Sequence, residues 1–123
     1  MTAGAPRPPA QVQPYIEIIG LDATLALVQE FGGVRAYVAK DPPVDSKMVK
    51  AIGMAAAVRL GKALGGESPR IPVARAWLVQ HYASLKWSVP RIARELRIAD
   101  FSVRRILSRT ATTRADPRQT SLF

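Results

Sequence analysis

Between Val89 and Ser108 the apolar residues are spaced and sized as two short helices sharing one small core require. Ile92 and Ala93 face inward on the first helix, and Ala93 is small because the second helix crosses close by. Leu96 closes the first helix, Ile98 plugs the turn, and Val103 with Ile106 anchors the second. The second helix is then left to present Phe101, Ser102, Arg104, Arg105 and Arg109 outward. That is the pattern of a helix-turn-helix, whose second helix lays a polar, basic face in a DNA major groove. Ser88 is a natural N-cap for the first helix, and Pro90 is tolerated in its first turn, where amides lack helical partners. Asp100 is expected to cap the second helix. Arg97 stands where a small residue, often Gly, is usual. A supporting helix is expected over Ala74–Lys86, with Leu78, Tyr82 and Leu85 on the motif's core and Trp77 and Val79 flanking them.

Charge is distributed to match. The chain of 123 residues carries a formal +9, with eleven Lys/Arg against three Asp/Glu in residues 70–123 and seven against six in residues 1–69. A phosphate-binding module beside a near-neutral packing module has this asymmetry. Within the motif Phe101, Ser102 and Arg105, near the start of the second helix, are the candidates for base edges, a Phe meeting a thymine methyl and an Arg a guanine. Arg91, Arg94, Arg104 and Arg109 are the candidates for phosphate contacts, which position without specifying sequence.

The first seventy residues contain a repeat. Ile19-Gly20-Leu21 is answered by Ile52-Gly53-Met54, and the offset of 33 carries through to Gly32-Gly33 against Gly65-Gly66, with six identities in 15 positions. Beyond a two-residue insertion, Val38-Ala39-Lys40 aligns with Val73-Ala74-Arg75. Each copy reads as a short helix, a Gly turn, a longer helix, a Gly-Gly stop and an extended stretch. The short helices are expected to start at Pro14 and Asp45. Leu21, Leu25, Val28 and Phe31 give the inward stripe of the first long helix, and Met54, Val58 and Leu64 that of the second. Gly32 and Gly65 fit the left-handed residue that ends a helix. Val34–Val38 and Arg70–Val73 read as strands too short to stand alone, the second weakened by Pro69 and Pro72. They need each other or a second chain. Since helix-turn-helix proteins commonly read two half-sites, a homodimer is the favoured expectation.

The fold expected is thus mainly α: a disordered arm (1–14), a duplicated helical dimerisation domain with short β-strands (15–73), a helix-turn-helix domain (74–109) and a flexible tail (110–123). The chain has no cysteine and so no disulfide or thiolate metal site. No apolar run is long enough to span a bilayer, and Met1–Pro14 lacks the apolar segment of a signal peptide, so a cytoplasmic setting without membrane contact is expected. His81 has no acidic or cysteine partner at ligand spacing, and no phosphate-binding loop occurs. Neither an enzyme nor a cofactor is indicated.

Over residues 15–109 the chain resembles the Mor/C family of bacteriophage transcription activators. The likeness rests on Ile-Gly-Leu/Met, a helix ending in Gly-Gly, an extended stretch with Ile71-Pro72-Val73, and the C-terminal helix-turn-helix. It implies a dimer that binds double-stranded DNA at promoters and recruits host RNA polymerase. It also implies that Gly65, Gly66, Ile71, Pro72 and Val73 belong to an intersubunit strand, with Arg70 near DNA. The terminal Gln119-Thr120-Ser121-Leu122-Phe123 is similar to the bacterial sliding-clamp-binding peptide, in which Leu122 and Phe123 would enter an apolar pocket and Gln119 would bond at its rim. Two alternatives therefore stand beside a phage-type regulator: a DNA-bound adaptor for the clamp, and a DNA-recognition subunit of a packaging or transposition complex.

Overall fold

The computed structural model describes residues 6–114, with side chains to Arg109. Among these the protein is mainly helical, with seven helices and no regular strand. The chain divides into two compact units, Pro8–Arg75 and a second that begins at Ala76.

The first unit holds α1 (Gln13–Ile19), α2 (Leu21–Phe31), α3 (Lys47–Ile52) and α4 (Met54–Leu64). The repeat is repeated in the backbone. Gly20 (φ 87°, ψ 168°) and Gly53 (φ 89°, ψ 157°) each end a short helix and begin a long one, in a conformation open only to glycine. The left-handed glycine of each Gly-Gly stop is the second, not the first. Gly32 and Gly65 lie at φ −54° and −56°, while Gly33 and Gly66 lie at 89° and 90°. Each long helix therefore closes with an extended cap residue before the chain turns. The start of α3 is set by Ser46, whose hydroxyl accepts from the Val49 amide at 3.1 Å, one residue beyond the expected Asp45.

The two copies clasp each other. α1 packs on α4 and α2 on α3, so each short helix lies against the long helix of the other copy as well as its own. The extended segments after each Gly-Gly pair antiparallel within the chain. Val38 N donates to Glu67 O at 2.8 Å and, 33 residues on, Ile71 N donates to Val34 O at 2.9 Å. Gly33 N to Ile71 O (2.8 Å) is matched in the same way by Gly66 N to Val38 O (2.7 Å). A pseudo-two-fold axis thus passes between Ala36 and Pro69. Ala36 N donates to Pro69 O at 3.0 Å, but the reciprocal bond is missing because proline has no amide hydrogen. With its central rung halved, the ribbon retains a single bridge, Arg35 to Arg70, and the two expected strands do not form.

The same symmetry corrects the sequence alignment. Val38 is equivalent to Ile71, both buried, whereas Val73 is 69% exposed, so the offset of 33 continues without insertion. The inward stripe differs too. Thr24, Leu27 and Val28 are buried on α2, as are Ala57, Leu60 and Gly61 at equivalent places on α4, while Leu21 and Met54 both face outward. Thr24 meets the cost of burying a hydroxyl by donating to Gly20 O at 2.7 Å.

The N-terminal segment is not a disordered arm where it is described. Val12 is fully buried, and its amide and that of Gln13 both donate to Pro9 O, so the prolines form a turn that feeds α1. No helix of the described residues is long and apolar enough to cross a membrane.

Candidate nucleic-acid interface

The second unit contains α5 (Arg75–Ser84), α6 (Val89–Leu96) and α7 (Asp100–Arg114). Its core is Val79, Ile92, Ala93 and Val103, lined by Tyr82, Ala83, Trp87, Leu96, Ile98 and Ile106 among others. Every inward position expected on α6 and α7 is in that cluster. On α5 the face turned to it is Val79, Tyr82 and Ala83, and Leu85 is 53% exposed because α5 ends at Ser84.

Two turns hold the three helices. Lys86 (φ 70°) closes the first, with Trp87 N donating to Tyr82 O at 3.2 Å. Ser88 then caps α6, its hydroxyl accepting from Arg91 N at 3.3 Å, with Pro90 in the first turn. At the other end Arg97 takes the left-handed conformation (φ 57°, ψ 46°), and both it and Ile98 direct their amides to Ala93 O. A branched cationic residue here costs about 1–2 kcal/mol relative to a right-handed position. α7 starts at Asp100, so Asp100 lies inside the first turn and Ala99 holds the cap position; no hydroxyl or carboxylate caps this helix as expected. Instead Ser102 N and Val103 N donate to Ala99 O, and the Asp100 carboxylate sits favourably near the helix's positive end. α7 runs to Arg114, five residues beyond the expected end at Arg109.

The outward residues divide into two groups. On α7, Phe101 is 66% exposed, and Arg104, Arg105 and Arg109 are exposed with it, while Ser102 is half-buried. Phe101 and Arg105 stand one turn apart, with the guanidinium 5.4 Å from the ring centroid. Arg104 reaches Asp100 at 3.9 Å, an exposed pair worth little in stability. On α6, Arg91 and Arg94 are exposed, and Arg91 lies 3.7 Å over the Trp87 ring. Trp87 in turn stacks on Tyr82, with centroids 4.3 Å apart and planes 14° from parallel. Burial first, and the negative Glu95 second, push the Tyr82 phenol up from its ordinary value.

This Tyr82–Trp87–Arg91 stack was missed by sequence reasoning, which gave Trp87 only the joint and Arg91 only a phosphate. The signal available was Trp87 four residues before Arg91 across a helix start, where i, i+4 side chains meet.

The residues expected at an intersubunit strand lie in the other unit. Gly66 and Ile71 spend their amides within the chain, Ile71 is fully buried, and Pro72 is half-buried; only Val73 offers apolar surface. Gln119, Leu122 and Phe123 lie outside the described residues. Among the described residues no group of three or more His, Asp or Glu could hold a metal ion. No family model, no curated protein and no solved structure matches the chain.

Proposed function

We propose that the second unit is a DNA-reading helix-turn-helix and that the chain is a sequence-specific transcriptional regulator. The observation that carries this reading is the division of α7. Its inner residues are pinned by a small core, while Phe101, Arg104, Arg105 and Arg109 stand free on the opposite face. A solvated surface helix has no use for a phenylalanine 66% exposed beside an arginine, whereas a major groove has both thymine methyls and guanine acceptors to offer them. The supporting geometry is a three-residue connection with a left-handed residue, and a small buried Ala93 at the crossing. Six arginines against Glu95 and Asp100 between Val89 and Arg109 supply the charge for phosphates. In this role Phe101, Ser102 and Arg105 face bases, and Arg94, Arg104 and Arg109 face the backbone. Arg91, held flat on Trp87, is a phosphate contact with a fixed direction.

The resemblance to the Mor/C activators extends the reading to a dimer acting on promoters with host RNA polymerase. Selection of bound duplexes from a random-sequence pool tests the reading. A specific site is expected, with affinity falling steeply as salt rises. Failure to enrich any sequence would overturn sequence-specific recognition.

A further inference from the structure

We infer that the open edge of the first copy's extended segment, residues 35–39, pairs with the same edge of a second copy of this chain. The inference rests on the dimeric reading above and names the surface that makes the dimer.

The pseudo-two-fold ribbon has two outer edges, equivalent by the repeat but unlike in chemistry. Because Ala36 and Val38 donate inward, the amides of Arg35, Tyr37 and Ala39 point away from the ribbon, and none has a partner within the chain. At the equivalent edge stand Ser68, Arg70 and Pro72, and the proline removes the donor that Ala39 supplies in the first copy. Side chains differ in the same sense. Val34 and Tyr37, 52% and 62% exposed, are replaced by Glu67 and Arg70. Charge and proline are the usual means of blunting a strand edge. One edge is blunted here and the other left apolar and open.

Beside the open edge lies a groove of about 670 Å³, lined by Phe31, Val38, Pro42, Pro43 and Met48 as well as Val34 and Tyr37. Val44, 76% exposed, projects from the adjoining loop. A second copy is the occupant that the charges favour. In an antiparallel pairing centred on Tyr37, each Arg35 stands opposite the other copy's Ala39 and not opposite a like charge. The bend at Lys40–Asp41 then carries an acid to the diagonal position, within reach of a long side chain. Arg35 and Asp41 thus complement each other twice across the two-fold. Main-chain bonds from residues 35, 37 and 39 supply affinity, and the groove takes the partner's apolar side chains.

Sedimentation velocity of the full chain, without DNA, across the micromolar range tests the pairing. A dimer is expected. Tyr37→Lys, at an exposed site that leaves the fold intact by circular dichroism, should weaken it roughly tenfold or more. Arg35→Asp and Asp41→Arg should each weaken it, and the double exchange should restore it. Leu85→Lys, in the other unit, should leave it unchanged. A chain that stays monomeric would overturn the inference. So would a dimer indifferent to Tyr37→Lys and to the charge exchange, or one lost only on deleting residues 115–123, which would seat the C-terminal segment in the groove instead. None of these outcomes depends on whether α7 reads DNA.

Discussion

The two units use their residues in opposite ways. Residues 8–75 satisfy themselves: two copies of one motif clasp across a pseudo-two-fold, their amides paired reciprocally and their charges nearly balanced. The unit from Ala76 has a smaller core and an outer face of arginines with one exposed aromatic. Duplication gives the first unit two faces of the same shape to bury against each other, which a single short helix-turn-helix of this size cannot do. The second unit has no such partner within itself, and its three helices depend on four fully or nearly buried side chains and an aromatic stack. The first is organised to hold together and the second to meet a polyanion.

The sharpest way to break that contrast is to remove a core residue from one side only. Leu27 and Leu60 are equivalent and fully buried, and replacing either with Ala should cost about 2–5 kcal/mol, by similar amounts if the repeat is symmetric in energy as in form. Both tryptophans lie in the second unit, so fluorescence should report its unfolding while far-ultraviolet circular dichroism follows both. Leu27→Ala is expected to separate the two transitions, and coincident curves would show that the units unfold as one.

Backbone effects are smaller. Gly20→Ala and Gly53→Ala place a Cβ in open space but at φ near 90°, so each should lose about 1–2 kcal/mol from conformation alone, again nearly equally. A large difference between them would mean that the symmetry of the repeat stops at geometry. In the second unit Arg97→Gly relieves a left-handed arginine and should gain up to about 1 kcal/mol in chemical denaturation.

The smallest effect is a pH dependence shared by both units. Burial, aided by Glu67 for Tyr15 and by Glu95 for Tyr82, raises both phenols above the usual 10.0. A raised folded value favours the neutral form, so the stability it contributes is whole below pH 10 and is lost as pH climbs through the folded values. Denaturation midpoints followed against pH should therefore fall only on the alkaline side, and Tyr82→Phe should lessen the fall seen by fluorescence.

Much of this was legible in the chain. The inward positions of α6 and α7 could be read because their order constrains size as well as polarity. The repeat could be read because Gly20 and Gly53 hold conformations that no other residue shares. Where reading failed, local identity competed with a tertiary requirement. Val73-Ala74-Arg75 matches Val38-Ala39-Lys40 by letter, yet the ribbon needs Ile71 opposite Val34, and only burial separates the two registers. The proline-rich start looked unable to order itself, but one apolar residue, Val12, is enough to dock it. The Thr-rich end of α7 has no apolar periodicity, since nothing in its last turn faces a core. Phe101 and Arg105 were recognised as outward residues, whereas the stack under Arg91 depends on a turn whose shape the sequence does not spell out.

The central claim, that the outer face of α7 reads base sequence, is tested most directly by comparing variants on a selected duplex and on a scrambled one. Arg105→Ala should lose about 1–3 kcal/mol on the selected duplex and little on the scrambled one, with discrimination relaxed at one position. Arg94→Ala should weaken both alike and lower the salt slope by about 1. If Arg105→Ala instead weakened both duplexes equally, or neither, α7 would not be the reading element and the account of the second unit would be wrong.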